Sequence, residues 1–98
     1  MAKRKVLLPT ERQLAVLKIL AAGGALSRRI AGTRMYQLSA SYDEDGPMVD
    51  ALTVSEVVAL FRAGWIQDRE NGDGANPRIG GEYIITEAGD ELVEAAHG

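Results

Sequence analysis

Two short segments constrain this chain more than any others: TVSEVVALFRAGWI at Thr53 to Ile66, and EYIITEAG at Glu82 to Gly89. The Thr53 hydroxyl can cap a helix while Glu56 reaches back to the threonine backbone, the reciprocal pattern of a capping box. Val54, Val57, Val58, Leu60 and Phe61 then form one apolar stripe, and Gly64 stops the helix. Trp65 and Ile66 begin a strand, with Trp65 expected in the core. Tyr83-Ile84-Ile85 returns antiparallel to it, and Thr86 caps a terminal helix carrying Leu92, Val93 and Ala96. Between the strands, Glu70 to Gly81 (ENGDGANPRIGG) is rich in turn formers and reads as a mobile loop. The order is therefore helix, strand, loop, strand, helix.

The first half of the chain has a different rhythm. Thr10 and Gln13 make a second capping box, opening a helix over about residues 10–22 that Gly23-Gly24 ends. Leu14, Leu17, Leu20 and Ala21 fall on one face of it, with Val16 at the margin. After that, Tyr36, Leu38, Ala40 and Tyr42 alternate with Gln37, Ser39 and Ser41, the period of a half-buried strand. The run Leu26 to Ile30 pairs with it as a hairpin across Ala31-Gly32. Asp43 to Pro47 is a turn, and Met48 to Leu52 a third, short strand. The fold class is thus α+β: helix, small antiparallel β meander, helix, β-hairpin, helix.

With 98 residues the chain has room for a single modest core. Residues 1–9 read as a basic arm, and residues 10–98 as one domain. There is no cysteine, so disulfides and thiolate metal sites are excluded. No apolar run approaches the roughly 20 residues that span a bilayer. The start, Met1 to Pro9, is too short for a signal-peptide core, and the expected location is cytoplasmic.

Chemistry finds little support. His97, the single histidine, sits where chains fray, and no other base is available to activate a serine in the usual way. Asp43, Glu44 and Asp45 lack the alternation and distal glutamate of a calcium loop. The glycines of 70–81 are followed by no Gly-Lys-Ser/Thr and open no helix, so they do not form a phosphate-binding loop. The expectation is a protein that is not an enzyme, with no catalytic, metal or cofactor site.

Charge is distributed unevenly. Up to Arg34 there are eight Lys or Arg against Glu11 alone, and from Met35 onward three arginines face thirteen acids, for a net charge of −3. Turning the second helix so that its apolar stripe faces inward leaves Ser55, Ala59 and Arg62 outward, with Glu56 beside them. Arg62 and Ser55 could contact a base edge or a phosphate, and Ala59 a thymine methyl. Arg69 and Arg78 lie at the ends of the 70–81 loop. Arg28, Arg29 and Arg34 cluster on the first hairpin, and Lys3, Arg4 and Lys5 lie on the basic arm. Against them, Asp68, Glu70 and Asp73 share the loop, and the acidic half could equally steer a basic protein partner.

The GWI…EYIITEAG segment resembles the end of many bacterial proteins of the winged helix-turn-helix superfamily, where a GLI strand precedes a Y-x-[LI]-T-x-x-G strand and helix. The likeness covers the last half of the chain. It implies that the helix before the loop lies in the DNA major groove and that the loop is a wing against the backbone or minor groove. The whole chain is also similar to the YjhX-like family of topoisomerase-inhibiting toxins. The matching pieces are Leu20-Ala21-Ala22-Gly23-Gly24, the 26–52 meander, Thr53 to Gly64, and Tyr83-Ile84-Ile85-Thr86. The chain departs from that family in its longer wing insert, its acidic carboxyl half and Ile84 in place of an arginine. Two functions follow as expectations. The first is a small DNA-binding transcriptional regulator of bacterial or phage type, homodimeric through a seam of Leu92, Val93 and Ala96. The second is a protein-interaction winged helix that inhibits a partner such as a DNA-processing enzyme.

Overall fold

Both capping boxes form. In the computed structural model, which describes residues 8–27, 35–40 and 48–97, Thr10 Oγ1 accepts from the Gln13 amide at 3.1 Å and Gln13 Oε1 from the Thr10 amide at 2.9 Å. These bonds open helix α1, Glu11–Ala21. Thr53 and Glu56 make the same exchange at 3.2 and 3.0 Å, opening helix α2, Val54–Arg62. Both helices close alike. The amides of Gly23 and Gly24 return to Leu20 and Ile19, and those of Gly64 and Trp65 to Phe61 and Leu60. Gly23 (φ 107°) and Gly64 (φ 82°) take the left-handed conformation that this ending requires. A third helix, α3, runs over Glu87–His97. Thr86 Oγ1 accepts from the Gly89 amide at 3.2 Å and donates to the Gly64 carbonyl at 2.6 Å. One hydroxyl thus caps α3 and ties it to the end of α2.

Five antiparallel strands make one sheet: β1 Ala25–Ser27, β2 Met35–Ser39, β3 Met48–Thr53, β4 Ile66–Asp68 and β5 Glu82–Ile85. Their order is β3-β2-β1-β5-β4. The first three form the expected meander. β5 then inserts between β1 and β4, with Leu26 opposite Tyr83 and Ile66 opposite Ile85. Thr53 is both the last residue of β3 and the cap of α2, so the sheet passes into the helix without a loop. Three strands separate α1 from α2, and the two do not form a helix-turn-helix pair.

The core lies where α1 and α2 cover the sheet. Leu17, Leu26, Tyr36, Leu38, Val57 and Tyr83 are fully buried in it, and Trp65 joins them as expected. Three differences from the sequence reading have local causes. On α1 Val16 is buried beside Leu17 and Leu20 whereas Ala21 is exposed, because Val16 lies toward Leu52 of β3 and Leu60 of α2. β2 ends at Ser39, where its register with β3 shifts, and Ala40 is exposed instead of continuing the alternation. On α3, Val93 is buried in the core and Leu92 packs against it, so two residues of the expected dimer seam are used within the chain. Tyr42 and the 43–47 turn lie outside the described residues.

Gly89 shows how tightly α3 is docked. A Cβ there would stand 2.5 Å from the Trp65 carbonyl and 2.7 Å from Ile85 Cγ1. Alanine is favoured over glycine inside a helix by about 1 kcal/mol, but overpacking of this kind costs about 1–3 kcal/mol. Gly89→Ala is therefore expected to lower the urea midpoint, reversing the sign that helix propensity alone would give.

Candidate functional site

The outward face of α2 carries Ser55, Ala59 and Arg62, all exposed. They face outward because Val57, Val58 and Leu60 point into the core and Val54 and Phe61 are drawn partly inward. Arg62 lies in the last turn, where a cation favours the negative end of the helix dipole. Among the described residues its guanidinium makes no ion pair.

The 70–81 loop adds to this face. Tyr36, on β2, donates its hydroxyl to the Pro77 carbonyl. Tyr83, on β5, donates to the Gly80 carbonyl at 2.9 Å. The two rings meet edge to face with centroids 5.9 Å apart, and Phe61 of α2 packs edge-on to Tyr83 at 5.7 Å. Such pairs are worth roughly 0.5–1.5 kcal/mol beyond the area they bury. Between the two anchored carbonyls, the Asn76 side chain accepts from the Arg78 amide at 3.0 Å, and the Ile79 amide returns to the Asn76 carbonyl. Arg78 is thereby held against α2. It closes a cleft of about 270 Å³ with Val54, Ser55, Val58, Ala59 and Arg62.

The base of the loop is tied as well. Asp68 and Gly72 exchange backbone hydrogen bonds of 2.9 Å. Buried Asp68 accepts from the amides of Glu70 and Asn71 through Oδ1 at 2.8 and 2.9 Å. A segment that reads as mobile by composition is thus pinned by three side chains and one backbone bridge.

Of the residues singled out in the sequence, Ser55, Arg62 and Arg78 come together in this cleft. Arg69 does not join them. It pairs with Glu82 at the foot of the hairpin, beside a polar hollow of about 410 Å³ lined by Asp68, Glu70 and Asn71. Lys3, Arg4, Lys5, Arg28, Arg29 and Arg34 lie outside the described residues.

Arg12 had no role in the sequence reading beyond its charge. From the first turn of α1 it reaches Asp50 at 3.0 Å, Glu56, and the Ala51 carbonyl at 3.1 Å. Its hydrogen bond is the main cause that holds the Glu56 carboxyl below its ordinary pKa; the Asp50 carboxyl is held low first by the Ala51 amide and then by Arg12. The acid beside the exposed α2 face is therefore engaged twice, by the capping box and by Arg12. The partners are 38 and 44 residues away in sequence, and no motif announces them.

Among the described residues no cluster of three or more His, Asp or Glu could hold a metal ion, and no helix is long and apolar enough to cross a membrane.

The Tyr83 phenol is held above its ordinary pKa, chiefly by burial and then by the neighbouring Tyr36 and Asp68. The unfolded chain ionises this phenol first, near pH 10. The stability it contributes is complete below about pH 10 and declines as pH rises further. Tyr83→Phe should start about 1 kcal/mol less stable through the lost hydrogen bond and show a flatter decline above pH 10 in urea titrations. An unchanged alkaline slope would show that Tyr83 does not titrate with unfolding.

Comparison with protein-family models, curated proteins and solved structures finds no match to this chain.

Proposed function

We propose that this chain is a winged-helix DNA-binding protein in which α2 lies in the major groove and the 70–81 loop acts as the wing. The observation that carries the reading is the convergence of Arg62 and Arg78, from two separate segments, on one cleft that also presents Ser55 and Ala59. Such a surface combines phosphate-binding cations with small side chains that let a helix approach base edges. The arrangement of α2, β4, loop and β5, with β1 pairing to β5, supports the winged-helix assignment. The meander then stands where a helix-turn-helix domain would carry another helix. A role in transcriptional regulation belongs to the same proposal.

The acidic side supports a second reading, a module that binds a basic surface of a protein such as a DNA-processing enzyme. Glu87, Asp90, Glu91 and Glu94 are all exposed along α3. Charge reversal at Glu91 and Glu94 tests that reading cleanly. Asp68 is unsuited to such a test, since its carboxylate holds the loop.

The expected outcome for DNA is measurable by fluorescence anisotropy of a labelled duplex across a salt series. Affinity should fall log-linearly with salt, and Arg78→Ala should reduce the slope by about 1, as loss of one phosphate contact does. Arg62→Ala should cost about 1–3 kcal/mol and relax sequence preference if it reads a base. Binding that is absent at low salt, or indifferent to both substitutions, would contradict the proposal.

A further inference from the structure

Among the described residues the sheet has two outer strands, β4 and β3, and they are closed in different ways. At β4 the chain covers its own edge, because Asp68 and Gly72 satisfy each other's backbone groups at 2.9 Å. That closure is a backbone bridge, and the Asp68 carboxylate supports its turn by accepting from the Glu70 and Asn71 amides. At β3 the outward backbone groups of Ala51 and the outward amide of Thr53 are met by side chains. The Ala51 amide donates to Asp50 Oδ1 at 2.7 Å, and the Ala51 carbonyl accepts from Arg12 Nη2 at 3.1 Å. In an antiparallel strand the N–H and C=O of one residue point to the same side, and the residue two positions on repeats that direction. Thr53 therefore shares the outer side with Ala51, and its amide donates to Glu56 Oε1 at 3.0 Å. Arg12 binds both carboxylates, Asp50 at 3.0 Å and Glu56.

We infer that the Arg12–Asp50–Glu56 cluster is a side-chain cap that closes the outer edge of β3 against strand addition by a second copy of this chain. Strand edges with unmet backbone groups are templates for pairing with another chain, and charged side chains on the edge are a general way to prevent it. A second copy is the occupant because an antiparallel strand can pair with itself about a two-fold axis. β3, at six residues, is long enough to do so. Val49, 54% exposed on the same strand, supplies apolar contact once the charges are gone. Arg12 is the keystone, since among the described residues it touches both acids and the Ala51 carbonyl.

Sedimentation velocity over a concentration series, with circular dichroism to confirm folding, tests the cap. Arg12→Ala/Asp50→Ala should sediment faster as concentration rises, where the wild type does not. Adding Ala51→Pro, which removes the outward N–H without touching the bonds to β2, should restore the wild-type sedimentation coefficient. A folded double variant that sediments like the wild type overturns the inference, as does association that survives Ala51→Pro. Amide exchange on the wild type gives a readout that requires no variant. The Ala51 and Thr53 amides should exchange about tenfold or more slower than in an unstructured peptide of the same sequence. Exchange at the peptide rate would mean that the edge is open and the inference wrong.

Discussion

Two buried tyrosine hydroxyls, on Tyr36 and Tyr83, determine the shape of the surface on which the functional reading rests. Each side chain is fully buried, yet each O–H has an obligatory need for a partner, since an unmet buried hydroxyl costs about 1–3 kcal/mol. The partners are two loop carbonyls three residues apart, at Pro77 and Gly80. Satisfying the core thus pulls the loop down across the sheet and sets Arg78 beside α2. Tyr83 packs edge-on against both Tyr36 and Phe61, so the orientation of α2 and the position of the loop are set by one cluster. Packing, hydrogen bonding and the placement of charge cannot be altered separately here.

Electrostatics follows from this geometry rather than from net charge. The chain carries −3 overall, but the acids nearest the α2 face are engaged: Glu56 by its cap and Arg12, and Asp50 by Arg12 and the Ala51 amide. Asp68 is turned inward to hold the loop, and Glu82 is matched by Arg69. Arg62 and Arg78 line the cleft, while the exposed acids of α3 lie on another element. A surface of mixed composition can in this way present one sign of charge locally, which is what association with a charged partner responds to.

Local rules written in the chain account for much of this. The Thr10/Gln13 and Thr53/Glu56 boxes, the glycine stops at Gly23 and Gly64, and the outward set Ser55, Ala59 and Arg62 were all legible, because each depends on residues within one or two turns. The antiparallel pairing of β1 with β2, β2 with β3 and β4 with β5 was legible too, while the Ala31-Gly32 and 43–47 turns lie outside the described residues. The long-range bonds were not. Alternation marks Tyr36 as buried but says nothing of which carbonyl its hydroxyl will find 41 residues away. Arg12 looked like one cation among many until its fork met Asp50 and Glu56. The β5 insertion between β1 and β4 likewise depends on tertiary pairing. Composition left the anchors of the 70–81 loop unread for the same reason: its turn formers describe its bends, and its anchors lie on β2, β4 and β5.

The most direct test of the account removes a single buried oxygen and no charge. Duplex binding by Tyr36→Phe, measured beside the wild type at equal salt, asks whether the buried hydroxyl controls the cationic cleft. The substitution leaves every charge in place and keeps the aromatic ring in the core. Releasing the Pro77 carbonyl should let Arg78 leave α2, and affinity should drop about fivefold for roughly 1 kcal/mol of lost positioning. A folded Tyr36→Phe protein that binds duplex DNA as tightly as the wild type would contradict the claim that the tyrosine pair builds the binding surface.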